Sequence, residues 1–384
     1  MPLLRVLGMG LIKRKIGDLI SLDNRKNTSN LELPFYGINK DKTFMPTIAT
    51  TDGLDQKKYK IISKGMFVFS GMQTGRDMCI RIGLYNYPFD ALISPAYTTF
   101  NVSSEEILPE YLFMIFKSKE MDRYGAFLSD GSIRSNLDWD VFCGIELDLP
   151  DTTIQKKYVD IYLGMQENLD ALNKSVEQMQ HICEAYLEKL TKTTPSKAVG
   201  AYIEQTDERN SSLILGLKSV RGIATQKEFI PTKANMSGVS LDNYKIVHPG
   251  YFAYVADTSR RGDKISLAYN AETENYLVSS ITTTFQVKKD KTEELLPDYL
   301  FMFLCRAEFD RYARYNSWGS ARETIAWEDL GRLRIPVPSM EIQRDIVCIF
   351  HVISERNRLI DRLTAVQKNI CPILVRGAIE EGGR

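Results

Sequence analysis

The sequence predicts an α+β protein built as a tandem duplication. A mixed α/β domain is followed by a long helix, the pair is then repeated, and the two helices pair as an antiparallel coiled coil. Three observations carry this expectation. Segments of the first half return in the second at a nearly constant offset. Each unit opens with short aromatic and β-branched runs around a proline-opened helix. Each then closes on a long stretch with apolar residues at alternating three- and four-residue spacing.

The repeat is plainest around LPEYLFMIFKS (Leu108–Ser118), which matches LPDYLFMFLCR (Leu296–Arg306) at an offset of 188. The same offset maps Asp122-Arg123-Tyr124 onto Asp310-Arg311-Tyr312, Trp139 onto Trp327, Pro150 onto Pro338 and Gln155 onto Gln343. It also maps SDGSIRSNLDW (Ser129–Trp139) onto SWGSARETIAW (Ser317–Trp327), so Ser-x-Gly-Ser-x-Arg is written twice. Upstream, YKIISKG (Tyr59–Gly65) parallels YKIVHPG (Tyr244–Gly250), and LISPAYTTFNV (Leu92–Val102) parallels LVSSITTTFQV (Leu277–Val287), both at 185. The period is too long for a solenoid repeat, so each unit is a domain with an appendage.

Within each unit the elements follow in one order. MFVFSG (from Met66) and YFAYVA (from Tyr251) read as strands, as do DALISPAYTTFNV and NYLVSSITTTFQV. PEYLFMIFKSKEMDRYG reads as one helix, opened by Pro109 and closed by Gly125, with its twin opening at Pro297. The Ser-x-Gly-Ser-x-Arg turn then leads to a strand at Trp139 or Trp327. A run ending in proline follows in each copy, IELDLPD and LRIPVPS.

The first long helix has its seam at Tyr162, Met165, Leu169, Leu172, Val176, Met179, Cys183, Tyr186 and Leu190. The second has Val352, Leu359, Leu363, Val366, Ile370 and Ile373, interrupted by Arg356. At 1.5 Å per residue each helix is roughly 50 Å long. The expected boundaries are 1–153 and 201–338 for the two mixed domains, 154–191 and 339–384 for the helices (the latter with a C-terminal tail), and 192–200 for a linker. Pro195 stops the first helix, and Gly200 allows the chain to turn back.

Composition narrows the class. The 384 residues fit two or three domains, and 43% hydrophobic with 26% charged content is that of an ordinary globular protein. Lys plus Arg balances Asp plus Glu, 49 each, which excludes a histone-like polycation. Nucleic-acid binding would need cations gathered on one face. The six cysteines form no C-x-x-C pair and read as reduced cytosolic residues. The N-terminus places its basic cluster after its apolar part, the wrong order for a secretory signal, and no run reaches the length of a membrane span. A soluble, cytoplasmic protein with no membrane partner is expected.

The whole chain resembles the specificity subunit of type I restriction–modification systems, often called HsdS. The residues that carry the likeness are LPEYLF and LPDYLF, the Gly131 and Gly319 turns, Pro150 with Ile154-Gln155, Pro338 with Ile342-Gln343, and ALISPAY before Thr98. The sequence departs from the family in having Ile154 and Ile342 where many members have Glu, and Ser280 where its own first copy has Pro95. The resemblance implies two target recognition domains, each reading one half of a split site in double-stranded DNA. It implies helices that set the spacer and dock two modification methyltransferase subunits. Those subunits would bring S-adenosylmethionine and methylate adenine, and a restriction subunit would add ATP- and Mg-dependent translocation and cleavage. This chain itself would hold no cofactor and perform no catalysis.

The residues agree with that division of labour. There is no G-x-x-x-x-G-K-[ST] phosphate loop, GMQTGRD at Gly71 being too short, and no Asn-Pro-Pro-Tyr or Asp-Pro-Pro-Tyr segment. His181, His248 and His351 lack metal-ligand spacing. His181 and Cys183 read as helix surface and seam. The Ser-x-Gly-Ser-x-Arg turns have two readings. They are structural turns, or they place Ser132, Arg134, Ser320 and Arg322 against DNA phosphates.

Loops that differ between the copies are candidates for reading bases. QTGRDMCIR (Gln73–Arg81) corresponds to TSRRGDKIS (Thr258–Ser266), and these supply Arg76, Arg81, Arg260, Arg261 and Lys264. The loops 39–42 and 218–226 add Lys40, Lys218 and Arg221. KTFMPT at Lys42 and KEFIPT at Lys227 are alike in both copies and suggest a framework role. Because the loops diverge, an asymmetric bipartite site is expected, with half-sites about one helical turn apart. The rival readings are a recognition module of a type II-like system, a methyltransferase or nuclease in its own right, and a coiled-coil scaffold with no nucleic-acid role.

Overall fold

A computed structural model describes residues 10–47, 54–257, 264–319 and 323–384. The chain divides into two compact units, Met1–Leu172 with Leu359–Arg384, and Asn173–Arg358. Each unit contains an α/β body and parts of both long helices.

In the first unit the strands Ile20–Leu22, Thr98–Val102, Phe67–Ser70 and Arg81–Leu84 form an antiparallel sheet in that order. A second sheet orders Phe44–Pro46, Phe35–Ile38, Ala91–Ile93 and Lys60–Ile62, with one parallel pair between Phe35–Ile38 and Ala91–Ile93. The second unit repeats the first sheet with Ile203–Thr206, Thr283–Val287, Phe252–Val255 and Ser266–Tyr269. The duplication reaches the core. Phe67 stacks on Phe100 with centroids 5.0 Å apart, and the equivalent Phe252 stacks on Phe285 at 4.7 Å. All four rings are fully buried.

The proline-opened segment is two helices rather than one, Pro109–Phe116 and Lys119–Leu128, and its twin is Pro297–Leu304 and Ala307–Tyr315. At the first break the Ser118 Oγ accepts from the N–H of Met121 (3.0 Å) and caps the new helix start, while the twin restarts at Arg306 without a side-chain cap. Gly125 lies inside the second helix. Trp139 and Trp327 open short helices, Trp139–Cys143 and Trp327–Arg332, instead of strands. Asp138 caps the first of them, and Trp139 packs on Phe69 and Phe100.

The long helices are Thr152–Thr193 and Met340–Gly382. In the first unit they run antiparallel. Lys157 and Tyr158, near the start of one, bond to Glu381 at the end of the other at 2.7 and 3.0 Å. Tyr162 shares a buried cluster with Cys371, Leu374 and Ala378. In the second unit Leu187 and Leu190 pack with Ile346. Gln155 and Gln343 are fully buried where each helix leaves its domain. The Gln155 amide donates to the carbonyls of Glu106 and Pro150 (2.8 and 2.9 Å), and its Oε1 accepts from the N–H of Leu108 (3.0 Å). Gln343 makes the same three bonds with Glu294, Pro338 and Leu296 at 2.8, 2.9 and 2.9 Å. The Ile-Gln motif is thus a polar rivet between helix and domain.

The seam differs from its expected phase at several positions. Tyr162 and Val176 are buried, and Met165, Leu169, Leu172 and Met179 are half-buried, but Tyr186 is exposed and Leu187 packs in its place. On the second helix Leu363 and Ile370 are half-buried, whereas Val352, Leu359, Val366 and Ile373 are exposed. Ile346, Ile353, Cys371, Leu374 and Ala378 are buried instead. The helix carries two apolar rows about 100° apart, and packing against the α/β bodies selects the second. Residues 192–200 contain a strand, Ser196–Ala198, paired antiparallel with Arg334–Pro336.

Candidate nucleic-acid interface

In the first unit, the strand Phe67–Ser70 runs into Gly71 and a single helical turn, Thr74–Asp77, before Arg81–Leu84 begins. This loop lies against the Ser-x-Gly-Ser-x-Arg turn. The N–H of Leu137 donates to the Gly71 carbonyl (2.9 Å), and that of Gly75 donates to the Ser135 carbonyl (3.0 Å). The approach demands glycine at Gly71 and is tight at Gly75. A Cβ on Gly71 would fall 1.9 Å from the Leu137 carbonyl oxygen, and one on Gly75 would fall 2.0 Å from Ser135 Oγ. The second unit keeps the juxtaposition, with the N–H of Ile325 donating to the Ala256 carbonyl at 3.1 Å.

The turn is braced from within. Asp130 Oδ1 accepts from Ser132 Oγ (2.6 Å) and from the N–H groups of Ser132 (3.2 Å) and Asn136 (2.9 Å). The Ser132 hydroxyl and these N–H groups hold the Asp130 carboxyl below its ordinary range. Ser132 therefore spends its hydroxyl on the turn, while Arg134 is exposed.

Asp77 organises the cations of the loop. Its side chain is almost wholly buried and meets Arg81 Nη2 at 2.6 Å, Arg76 Nε at 3.2 Å and Lys40 Nζ at 3.5 Å. Burial pushes the Asp77 carboxyl up, but bonds from Arg81 and Arg76 and the nearby Lys40 charge outweigh it and hold it low. Three cations on one carboxylate leave a surplus of positive charge beside a turn that adds Arg134. Lys40, expected in a separate loop, meets Arg76 and Arg81 at one point. Asp77 was not among the expected residues, and the signal for it was only the local Arg-Asp pair.

Below this cluster lies the framework. Lys42 is buried against Asp122, and Lys227 against Asp310, in equivalent places. Burial lowers the Lys227 ammonium from its usual value, and the Asp310 ion pair pulls it back in part.

In the second unit Lys264 is exposed next to Ile265, whose carbonyl accepts from Lys227 Nζ (3.0 Å). Lys218 is exposed, and Arg221 is half-buried with its guanidinium 4.4 Å above the ring of Tyr276. Both sit at the open end of the hairpin Arg221–Ile223/Phe229–Pro231, away from the Lys227 turn. The Arg221 guanidinium is thus occupied by ring stacking and by the Lys218 and Val220 carbonyls. Arg260, Arg261, Ser320 and Arg322 lie outside the described residues.

Residues 221–366, from this hairpin through most of the second long helix, match the family model described as the type I restriction modification DNA specificity domain. That stretch is similar to a type I specificity domain. Its second Ser-x-Gly-Ser-x-Arg turn and Gln343 fall within that domain, and the first unit repeats the same elements in order. The specificity subunit of the type I restriction enzyme HindI from Haemophilus influenzae is 23% identical over 139 residues, which span 34% of this chain and 29% of that subunit. The crystal structure of a type I restriction–modification S subunit from M. genitalium superposes with a TM-score of 0.63 at 12% identity, covering 97% of this chain and 98% of that one. The α+β fold with its two long helices is therefore shared along the whole chain. Among the described residues no helix is long and apolar enough to cross a membrane, and no cluster of His, Cys, Asp or Glu could hold a metal ion.

Proposed function

We propose that this chain is the DNA sequence-specificity subunit of a type I restriction–modification complex. Each unit reads one half of an asymmetric bipartite site. The observation that carries this is the cation cluster of Lys40, Arg76 and Arg81, set on a loop hydrogen-bonded to the Ser-x-Gly-Ser-x-Arg turn inside a specificity-domain fold. Guanidinium groups read guanine edges in the major groove, and Arg and backbone N–H groups grip phosphates. Arg76, Arg81 and Lys264 are the candidates for base contact, and Arg134 with the turn's backbone for phosphate contact.

The chain performs no catalysis in this reading and works in the cytoplasm. The long helices set the spacer, and two modification methyltransferase subunits dock on them. The exposed apolar residues of the second helix, Leu359 and Val366 in one unit and Val352 in the other, suit such docking. S-adenosylmethionine belongs to those partners, and ATP with Mg to a restriction partner. The test is a methylation map of the source genome with and without this gene. Loss of N6-methyladenine at one split, asymmetric motif is expected. An unchanged map, with an intact methyltransferase partner expressed, sinks the proposal.

A further inference from the structure

Ile133 stands at the tip of the first Ser-x-Gly-Ser-x-Arg turn with its side chain fully exposed. Its neighbours are Ser132 and Arg134, and the turn is braced by Asp130 and bonded to the loop that carries Arg76. The same loop exposes two more apolar side chains, Met72 and Met78. A lone exposed aliphatic group needs no explanation. Three of them on two bonded segments, beside the surplus positive charge around Asp77 and Arg134, form a mixed surface in which charge meets phosphate and apolar groups meet something apolar. On the edges of DNA bases the one apolar feature in the major groove is the thymine 5-methyl group.

We infer that Ile133 is a specificity-determining residue that packs on a thymine methyl group in the half-site read by the first unit. The inference rests on the DNA-specificity reading above. It also predicts an asymmetry between the halves. The equivalent position in the second copy is Ala321, whose side chain lacks the reach for the same contact.

The position favours a clean test. Because Ile133 packs against nothing in the protein, its truncation leaves no cavity and should leave folding unchanged. The experiment uses the full chain in complex with its modification methyltransferase and a duplex bearing the mapped motif. Each thymine of the motif is replaced in turn by uracil, which lacks only the methyl group. For the native complex, one replacement in one half-site should weaken binding about fourfold, the effect of one lost methyl contact. Ile133→Ala should weaken binding to the thymine duplex by roughly tenfold and should abolish the uracil effect, while Ile133→Val keeps most of it. An Ile133→Ala complex that binds like the native one, or that stays uracil-sensitive, overturns the inference and leaves the specificity reading standing. A complex with no gene-dependent motif removes the reading itself.

Discussion

Asp122 ties two segments together through a single oxygen: its Oδ1 accepts from the ammonium of Lys42 at 2.6 Å and from the N–H of Ile80 at 2.9 Å. Asp310 does the same with Lys227 (2.5 Å) and Ile265 (3.2 Å). Lys42 and Lys227 both occupy left-handed backbone, φ +62° and +67°, where a side chain costs roughly 1–2 kcal/mol. Lysine at such a place in both copies argues that the side chain is what matters. The pair pins the hairpin turn that bears Lys40 and the strand start that follows Arg76.

Removing one partner of this pair leaves a buried charge alone. Lys42→Met should destabilise the first unit by about 3 kcal/mol, and Lys42→Met with Asp122→Leu together by much less than the sum of the two single changes. Denaturant unfolding of the four chains measures the coupling. Additive losses would mean the two groups do not act as a pair.

The glutamine rivets can be tested in the same manner. Gln155→Leu keeps the volume but strips a partner from two carbonyls and from the N–H of Leu108. The loss should be about 3 kcal/mol, and amide exchange at Leu108 should speed up sharply. Gln343→Leu should do so at Leu296. Unchanged exchange at both amides would deny the motif its anchoring role.

Asp77 restrains the cations around it. Asp77→Asn removes one negative charge from the proposed DNA face. Binding to non-cognate duplex should tighten, and the salt dependence of binding should steepen by up to roughly one phosphate equivalent. The sign with pH follows from its depressed carboxyl. The hub is complete above the ordinary carboxylate range, about pH 4, and its contribution is lost only as pH falls through the lower folded value. Binding by the native complex should therefore show no Asp77 step between pH 5 and 7 (a window chosen about the ordinary values). An Asp77 titration observed by NMR above pH 4 would contradict this.

If the helices act as a ruler, one heptad added to both should lengthen them by about 10 Å, close to three base pairs of duplex. The methylated motif should keep its bases and gain about that much spacer. A motif with its original spacing would rule the ruler out.

Much of this architecture was legible because the chain states it twice. The duplicated Gln155 and Gln343, the prolines and the aromatic core pairs fall in equivalent places. Pairs remote in sequence were harder to see. Lys42 and Asp122 were each visible as repeated residues, and a buried lysine requires a carboxylate, but nothing local said which one. Lys40 returns to Asp77 only because a hairpin folds back, so a cation read in a separate loop joins the Arg76 and Arg81 of another at one point. The seam of the second helix was misphased because Val352, Leu359 and Val366 keep a heptad spacing as regular as any packed row. Spacing reports a stripe and is silent on what covers it. Ser118 resembled any serine in a helical run until its hydroxyl was seen capping the next helix.

The first unit draws on both ends of the described chain: Tyr158 and Tyr162 complete their packing against Cys371 and Gly377. During synthesis on the ribosome, residues 173–358 are all available before the segment 359–384 that the first unit needs. The half translated first is thus the half that must wait, with the apolar face of its helix uncovered until residues 359–384 have been made. The second unit can close earlier. A nascent chain stalled before residue 359 would be one folded unit tethered to an unfinished one, and that intermediate, more than the finished protein, is the form most in need of a chaperone.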